Sequence, residues 1–225
     1  PCNPTGSVYS KDELKDLANV LQKYPSLIAL SDEIYEHINF EGKHESLAQF
    51  PEIYDQVVTV NGVSKAWAMT GWRLGYIAAH KDIAAACDKV QGQFTSATCS
   101  ITQKATIAAM HADPKILDEM IGAFKSRRKL VLDALAEIPG LISNKPGGAF
   151  YVFPNVSSFF GKSYNGRIIS NSDELCMYLL EEGLVALVGG DAFGDPNCMR
   201  ISYAASEKTL TEAMKRIKNA LLNLH

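Results

Sequence analysis

Apolar and polar positions change their period several times along the chain, and each change predicts an element. In "KDELKDLANVLQK", residues 11–23, Leu14, Leu17, Val20 and Leu21 recur at helical spacing. Ser10 stands at the N-cap and Glu13 three residues on, so the spacing predicts an amphipathic helix opened by a capping box. The period then shortens. "SLIALSDEIY" and "DQVVTVNGVSK" are short aliphatic or β-branched runs ending in polar residues. That is the pattern of buried parallel strands presenting side chains at their carboxyl ends, where ligands of such sheets bind. Residues 81–137 read mostly as helix, with a break at "HADP" before the long stretch "KILDEMIGAFKSRRKLVLDALAEI", which is expected to link two domains. Beyond Pro139-Gly140, "AFYVF", "LVALV" and "CMRISY" predict short strands around a helix at about 172–182, and a helix at about 206–223 closes the chain. These elements form a smaller α/β domain.

Composition narrows the function classes. With 225 residues, 47% of them apolar, and a formal charge of −3, the chain can bury a substantial core and lacks the basic field of a nucleic-acid binder. Cys2, Cys87, Cys99, Cys176 and Cys198 are scattered with no CxxC pair, so neither a disulfide framework nor a zinc site is indicated, and a reducing, cytoplasmic compartment is expected. No apolar run approaches the roughly 20 residues that span a bilayer. No metal constellation is evident among the five histidines. The opening "PCNPTG" has no methionine and reads as the middle of a loop, so the chain is expected to be the C-terminal part, roughly 60%, of a longer protein.

The chemistry concentrates in "SKAWAMTGWRLGY", residues 64–76, where a lysine and an arginine lie among small, apolar and aromatic neighbours. Lys65 follows a predicted buried strand, between Ser64 and Ala66, which are too small to crowd a group attached there. Desolvation disfavours an ammonium, and the neutral amine is the form that condenses with an aldehyde. Arg73 cannot neutralise itself that way, and a poorly solvated guanidinium calls for an anion such as phosphate. Lysine for an aldehyde and arginine for a phosphate point to pyridoxal 5'-phosphate. Two solvated loop cations beside an apolar turn are the competing reading. Asp32, ending a predicted strand, could meet a protonated ring nitrogen or simply cap an element, and Tyr35 lies three residues on. Asn3 sits in "NPTG", which is first of all a good turn. Arg200, in "NCMRISYA", could equally be an edge-strand arginine in a surface ion pair. His37 reads as a surface residue.

From "NPTG" through "SDEIYE", the lysine stretch and "KPGGAFYVF" to "MRISYA", the chain resembles the class I/II, fold-type I aminotransferases, and is similar to their bacterial aspartate aminotransferase branch. The most specific part is Gly62, Val63, Ser64, Lys65, then Arg73, Leu74 and Gly75. The resemblance implies an α/β fold. Residues 1–120 would complete a cofactor-binding large domain with a mainly parallel sheet, and residues 121–225 would form the small domain. It also implies that Lys65 joins the cofactor and shuttles a proton, and that Asp32 binds the pyridine nitrogen. Tyr35 and Asn3 would bond the phenolic oxygen, Arg73 the phosphate and Arg200 the substrate's α-carboxylate, with Asn3 beside it. Gly62 stands where many relatives carry a phosphate-binding serine. A homodimer follows from the resemblance, with "QFTSATCS", residues 93–100, either near a neighbour's cofactor or merely opening the next helix. The expected reaction is transamination between an amino acid, aspartate first, and a 2-oxo acid such as 2-oxoglutarate, with neither nucleic acid nor membrane as partner. A β-lyase of the same fold and an aminotransferase-like domain of a transcription regulator are the alternatives. Alone, the chain is expected to be inactive.

Overall fold

The first helix, α1 (Lys11–Leu21), begins where its capping signal puts it. Glu13 N donates to Ser10 Oγ (3.3 Å) and Ser10 N donates back to Glu13 Oε2 (2.8 Å). Its inward stripe is the buried Leu14 and Ala18 with the partly buried Leu21, against Leu47, Phe50, Ile53 and Val57. Leu17 and Val20, expected in that stripe, are exposed, because the stripe follows i, i+4, i+7 and leaves them on its flank. Strand β1 (Ala29–Asp32) runs parallel to β2 (Val57–Gly62), with Asp32 opposite Val60. The expected two-faced burial fails for β1, where Leu30 is 74% exposed, whereas β2 begins and ends buried. An unanticipated strand, β3 (Gly75–Ala78), pairs antiparallel with β2 and sets Gly75 opposite Gly62. Its sequence holds one β-branched residue, so pairing rather than its own pattern makes it a strand. Helices α2 (Lys81–Phe94) and α3 (Ser100–His111) follow.

The structure is a computed structural model describing residues 1–225, and it divides into two compact units: Pro1 with Tyr9–Glu119, and Cys2–Val8 with Met120–His225. The division falls inside α4 (Asp118–Ala136). In the second unit, β4 (Tyr151–Val152), the hairpin β5 (Ser163–Tyr164) and β6 (Arg167–Ile168), α5 (Ser172–Glu181), β7 (Val188–Gly189), β8 (Met199–Ser202) and α6 (Glu207–Leu222) follow in order. Its sheet runs β4-β8-β7, all antiparallel. The run "LVALV" gives β7 only its last residue, because Leu184 takes a left-handed φ of 54° and breaks the extended chain. Leu175 and Leu179 of α5, Ile217 and Leu221 of α6, Val131 and Leu135 of α4, and Met199 of β8 are all buried. Two buried tyrosines keep their hydroxyls satisfied within this core, Tyr178 Oη on Ala220 O (2.8 Å) and Tyr203 Oη on Ala149 O (3.3 Å).

The "NPTG" turn belongs to this second unit. Gly147 N and Gly148 N both donate to Gly6 O (2.8 and 3.0 Å), and Asn144 Nδ2 donates to Thr5 O (2.6 Å). Gly6 has φ 67°, and a Cβ there would lie 2.4 Å from Pro146 Cβ, so only glycine fits. No helix is long and apolar enough to cross a membrane.

Candidate active site

Four of the sequence-predicted residues lie in the first unit. Asp32 ends β1 with an exposed side chain whose Oδ1 accepts from Ile34 N (3.2 Å), closing a tight turn. That turn carries Tyr35, which is buried. Lys65, half-buried, places its Nζ 6.0 Å from the centroid of the Tyr35 ring. Its loop leaves β2 at Gly62, where a Cβ would come 2.8 Å from Leu74 O and 3.0 Å from Gly75 Cα. A serine is therefore sterically excluded at position 62 by the close approach of β3. The loop folds back through Ala68 N on Lys65 O (3.2 Å) and Met69 N on Val63 O (3.4 Å).

Arg73 ends this loop in the left-handed region (φ 53°), a conformation that costs a non-glycine residue about 1–2 kcal/mol. Its guanidinium is exposed, not poorly solvated as expected, and Nη1 donates to Thr70 O (2.9 Å). A neutral carbonyl is a weaker acceptor than an anion, so this contact yields readily to a phosphate.

The turn after β1 holds a polar cluster that sequence reasoning missed. Glu33 is 6% exposed; its Oε1 accepts from Ser31 Oγ (2.9 Å) and Ser46 Oγ (2.7 Å), and its Oε2 lies 2.9 Å from His44 Nε2. Burial pushes this carboxyl up, but the bonds from His44, Ser46 and Ser31 outweigh it and hold it below the usual carboxylate value. The signal was available, since two-residue alternation puts Ser31 and Glu33 on the Ala29 face of β1, opposite Asp32. His37 is also no plain surface residue. It pairs with Glu36 (3.2 Å) and sets its ring edge-on to Trp67 in the lysine loop, with centroids 6.0 Å apart. The Glu36 bond raises the His37 pKa.

In the second unit the structure brings Asn3 and Arg200 together, Arg200 Nη1 donating to Asn3 Oδ1 (2.9 Å). The Arg200 guanidinium also lies over two rings, 4.8 Å from the Tyr151 centroid and 4.7 Å from Phe193. Such contacts fix a guanidinium plane while leaving its edge for a carboxylate. Neither ring was singled out from the sequence, since both are non-local to Arg200. The surface ion pair considered for Arg200 is not formed. In "QFTSATCS", α2 ends at Phe94 and α3 begins at Ser100.

An amine, a carboxylate and a guanidinium of the first unit can thus receive an aldehyde, a cationic ring nitrogen and a phosphate. The family model "Aminotransferase class I and II" matches residues 1–217. A "Bifunctional aspartate aminotransferase and glutamate/aspartate-prephenate aminotransferase" of Petunia hybrida is 49% identical over all of this chain and 48% of its own length. A "Probable aspartate/prephenate aminotransferase" of Rickettsia prowazekii is 46% identical over 98% of this chain and 56% of its own. Among solved structures, the aspartate aminotransferase of Rhizobium meliloti superposes with a TM-score of 0.95 at 41% identity, over 100% of this chain and 57% of that one. The chain thus spans about half the length of the curated relatives it matches. The neighbours share the fold-type I architecture, of which this chain carries a partial large domain and a small domain. Over nearly its whole length, then, the chain belongs to the class I and II aminotransferase family.

Proposed function

We propose that the protein is a pyridoxal-phosphate-dependent aminotransferase that moves an amino group between an amino acid, aspartate first, and a 2-oxo acid such as 2-oxoglutarate, and that it works as a homodimer. The observation that carries this is the donor set at one end of a parallel strand pair: Asp32 at the carboxyl end of β1, Lys65 three residues beyond β2, and Tyr35 beside the lysine. That set fits the cofactor's ring nitrogen and aldehyde. Residues 1–120 would be the remainder of the cofactor domain and residues 121–225 the domain that meets substrate.

When bound, the cofactor supplies an aldehyde for the amine and a ring that draws electrons from the substrate's α-carbon. Lys65 Nζ would hold the cofactor at its aldehyde and, when free, would be the base that takes a proton from the substrate's Cα and the acid that gives it back. The Asp32 carboxylate, which accepts from the Ile34 amide, would hold the ring nitrogen and favour its protonated form. Tyr35 would hold the phenolic oxygen, a role the family resemblance also gives Asn3, and Arg73 would exchange the Thr70 carbonyl for the phosphate. Arg200, its plane set by Tyr151 and Phe193, clamps the α-carboxylate.

The test is the visible spectrum of the protein at its full natural length, wild type and Lys65→Ala, with pyridoxal phosphate before and after L-aspartate. A band that needs Lys65 and bleaches with aspartate is expected. A band indifferent to Lys65 would sink the assignment. Release of ammonia with the oxo acid would instead identify a β-lyase.

A further inference from the structure

We infer that Glu33 is a positioning residue, whose buried carboxylate, clasped by Ser31, His44 and Ser46, sets the orientation of the Asp32–Tyr35 turn toward the cofactor; this rests on the function proposed above. A buried carboxylate is costly, and a well-packed apolar residue in its place is often as stable or more so. The charge therefore calls for a role beyond cohesion.

Its connections define that role. Glu33 N donates to Val60 O (2.8 Å), which carries the β1–β2 ladder one residue past Asp32. The side chain then ties this point to the segment at Ser46, whose Oγ also accepts from Ala48 N (3.2 Å) at the start of a short 3-10 helix, Leu47–Gln49. Leu47 and Phe50 anchor that segment in the apolar core. Glu33 O in turn accepts from Glu36 N (2.9 Å), and Tyr35 O from Ile38 N (2.8 Å). Asp32 and Tyr35 thus project from a turn fastened at its centre to a fixed body. Glu33, Glu36 and His44 also stand close enough together to suggest a metal. Two hydroxyls and an imidazole already occupy the Glu33 oxygens, however, and donors facing an anion do not make a cation site.

The experiment uses the protein at full natural length. Pyridoxal phosphate affinity, the pH midpoint of the Lys65-dependent visible band, and the denaturant midpoint of the cofactor-free protein are measured for wild type, Glu33→Gln and Ser46→Ala. Glu33→Gln keeps the shape but turns an acceptor into a donor facing donors. It is expected to weaken cofactor binding about tenfold or more, as a misaligned site does, and to move the band's midpoint. Ser46→Ala should move the midpoint the same way by less. An unchanged midpoint and affinity with a lowered denaturant midpoint would reduce Glu33 to a structural role, and an unchanged midpoint in Ser46→Ala overturns the inference even if Glu33→Gln does not fold. Absence of any Lys65-dependent band in the wild type would overturn both this inference and the proposed function, so the two failures are told apart.

Discussion

The two units bury their apolar residues to very different degrees. In the second, Tyr178, Tyr203, Leu175, Leu179, Met199, Ile217 and Leu221 are all at or below 2% exposed, drawn from two helices and a strand with its flank. In the first, the sheet's outer strand leaves Leu30 74% exposed, α2 buries no residue, and Phe94 and Ile101 are 85% and 70% exposed. Yet the first unit carries the lysine, the aspartate and the tyrosine. Those groups are held by the buried Tyr35, Ile38, Val63 and Ala66 together with a set of polar fastenings: the Asp32 turn, the Glu33 clasp, the Gly62–Gly75 approach and the Glu36–His37 pair. The second unit works the other way, with one arginine laid on aromatic rings beside a finished core.

Truncating one apolar side chain in each unit gives the largest expected contrast. Leu179→Ala should cost about 2–5 kcal/mol in denaturant unfolding, as full burial with a residual cavity requires. Leu30→Ala should change stability by less than about 0.5 kcal/mol. Equal losses would mean that Leu30 is covered in the protein as it exists, and the contrast would collapse.

Two glycines sharpen it at the next scale. Gly6 in the second unit (φ 67°) and Gly42 in the first (φ 73°) both need left-handed backbone, but a Cβ meets Pro146 and Gly148 at Gly6 and nothing within 4 Å at Gly42. Gly42→Ala should then cost only the backbone term, about 1–2 kcal/mol, and Gly6→Ala clearly more. Similar values in chemical denaturation would show that the "NPTG" turn is free to shift.

How far the sequence reached follows the same division between local and distant causes. The capping box of α1 was legible because both partners lie within four residues. The hairpin β5–β6 carries an equally local signal, since Asn165-Gly166 is the strongest short-range hairpin signal and both residues adopt positive φ, but its two-residue strands are too short to show an alternating pattern. The strand β3 was not legible, because its partner and not its own pattern makes it. Lys65, Asp32, Tyr35 and Arg73 stood out by residue type and place. Glu33 was legible only in part: alternation pairs it with Ser31, but its other partners, His44 and Ser46, lie more than ten residues away. The exposure of Arg73 and the rings around Arg200 were hidden for the same reason.

A smaller effect tests whether polar fastenings hold the first unit. The Glu33 carboxyl is lower in the folded state than its ordinary value of 4.5. Its contribution is therefore present above that value and is lost as pH falls through the lowered one. Unfolding measured across this window should show stability dropping on the acid side, and Glu33→Gln should flatten the slope. A slope unaffected by the substitution would assign acid sensitivity to other carboxylates.

The smallest effect concerns the link between the Asp32 turn and the lysine loop. His37 is raised above 6.5 by its bond to Glu36, with burial opposing and the Glu36 charge adding to the rise. A raised folded value means that the stabilisation is present below pH 6.5 and fades as pH climbs through the higher value. About a third of the His37 side chain is exposed, so solvent screens the pair and the energy is slight. A ring-proton NMR titration resolves what stability measurements cannot: His37 should titrate above the ordinary histidine value, and Glu36→Gln should bring it back down. Because the His37 ring stands edge-on to Trp67, the Trp67 resonances should move over the same pH range. A Trp67 signal blind to that titration would remove the His37–Trp67 link between the turn and the lysine loop and leave the approach of Lys65 to Tyr35 and the Gly62–Gly75 contact to join them.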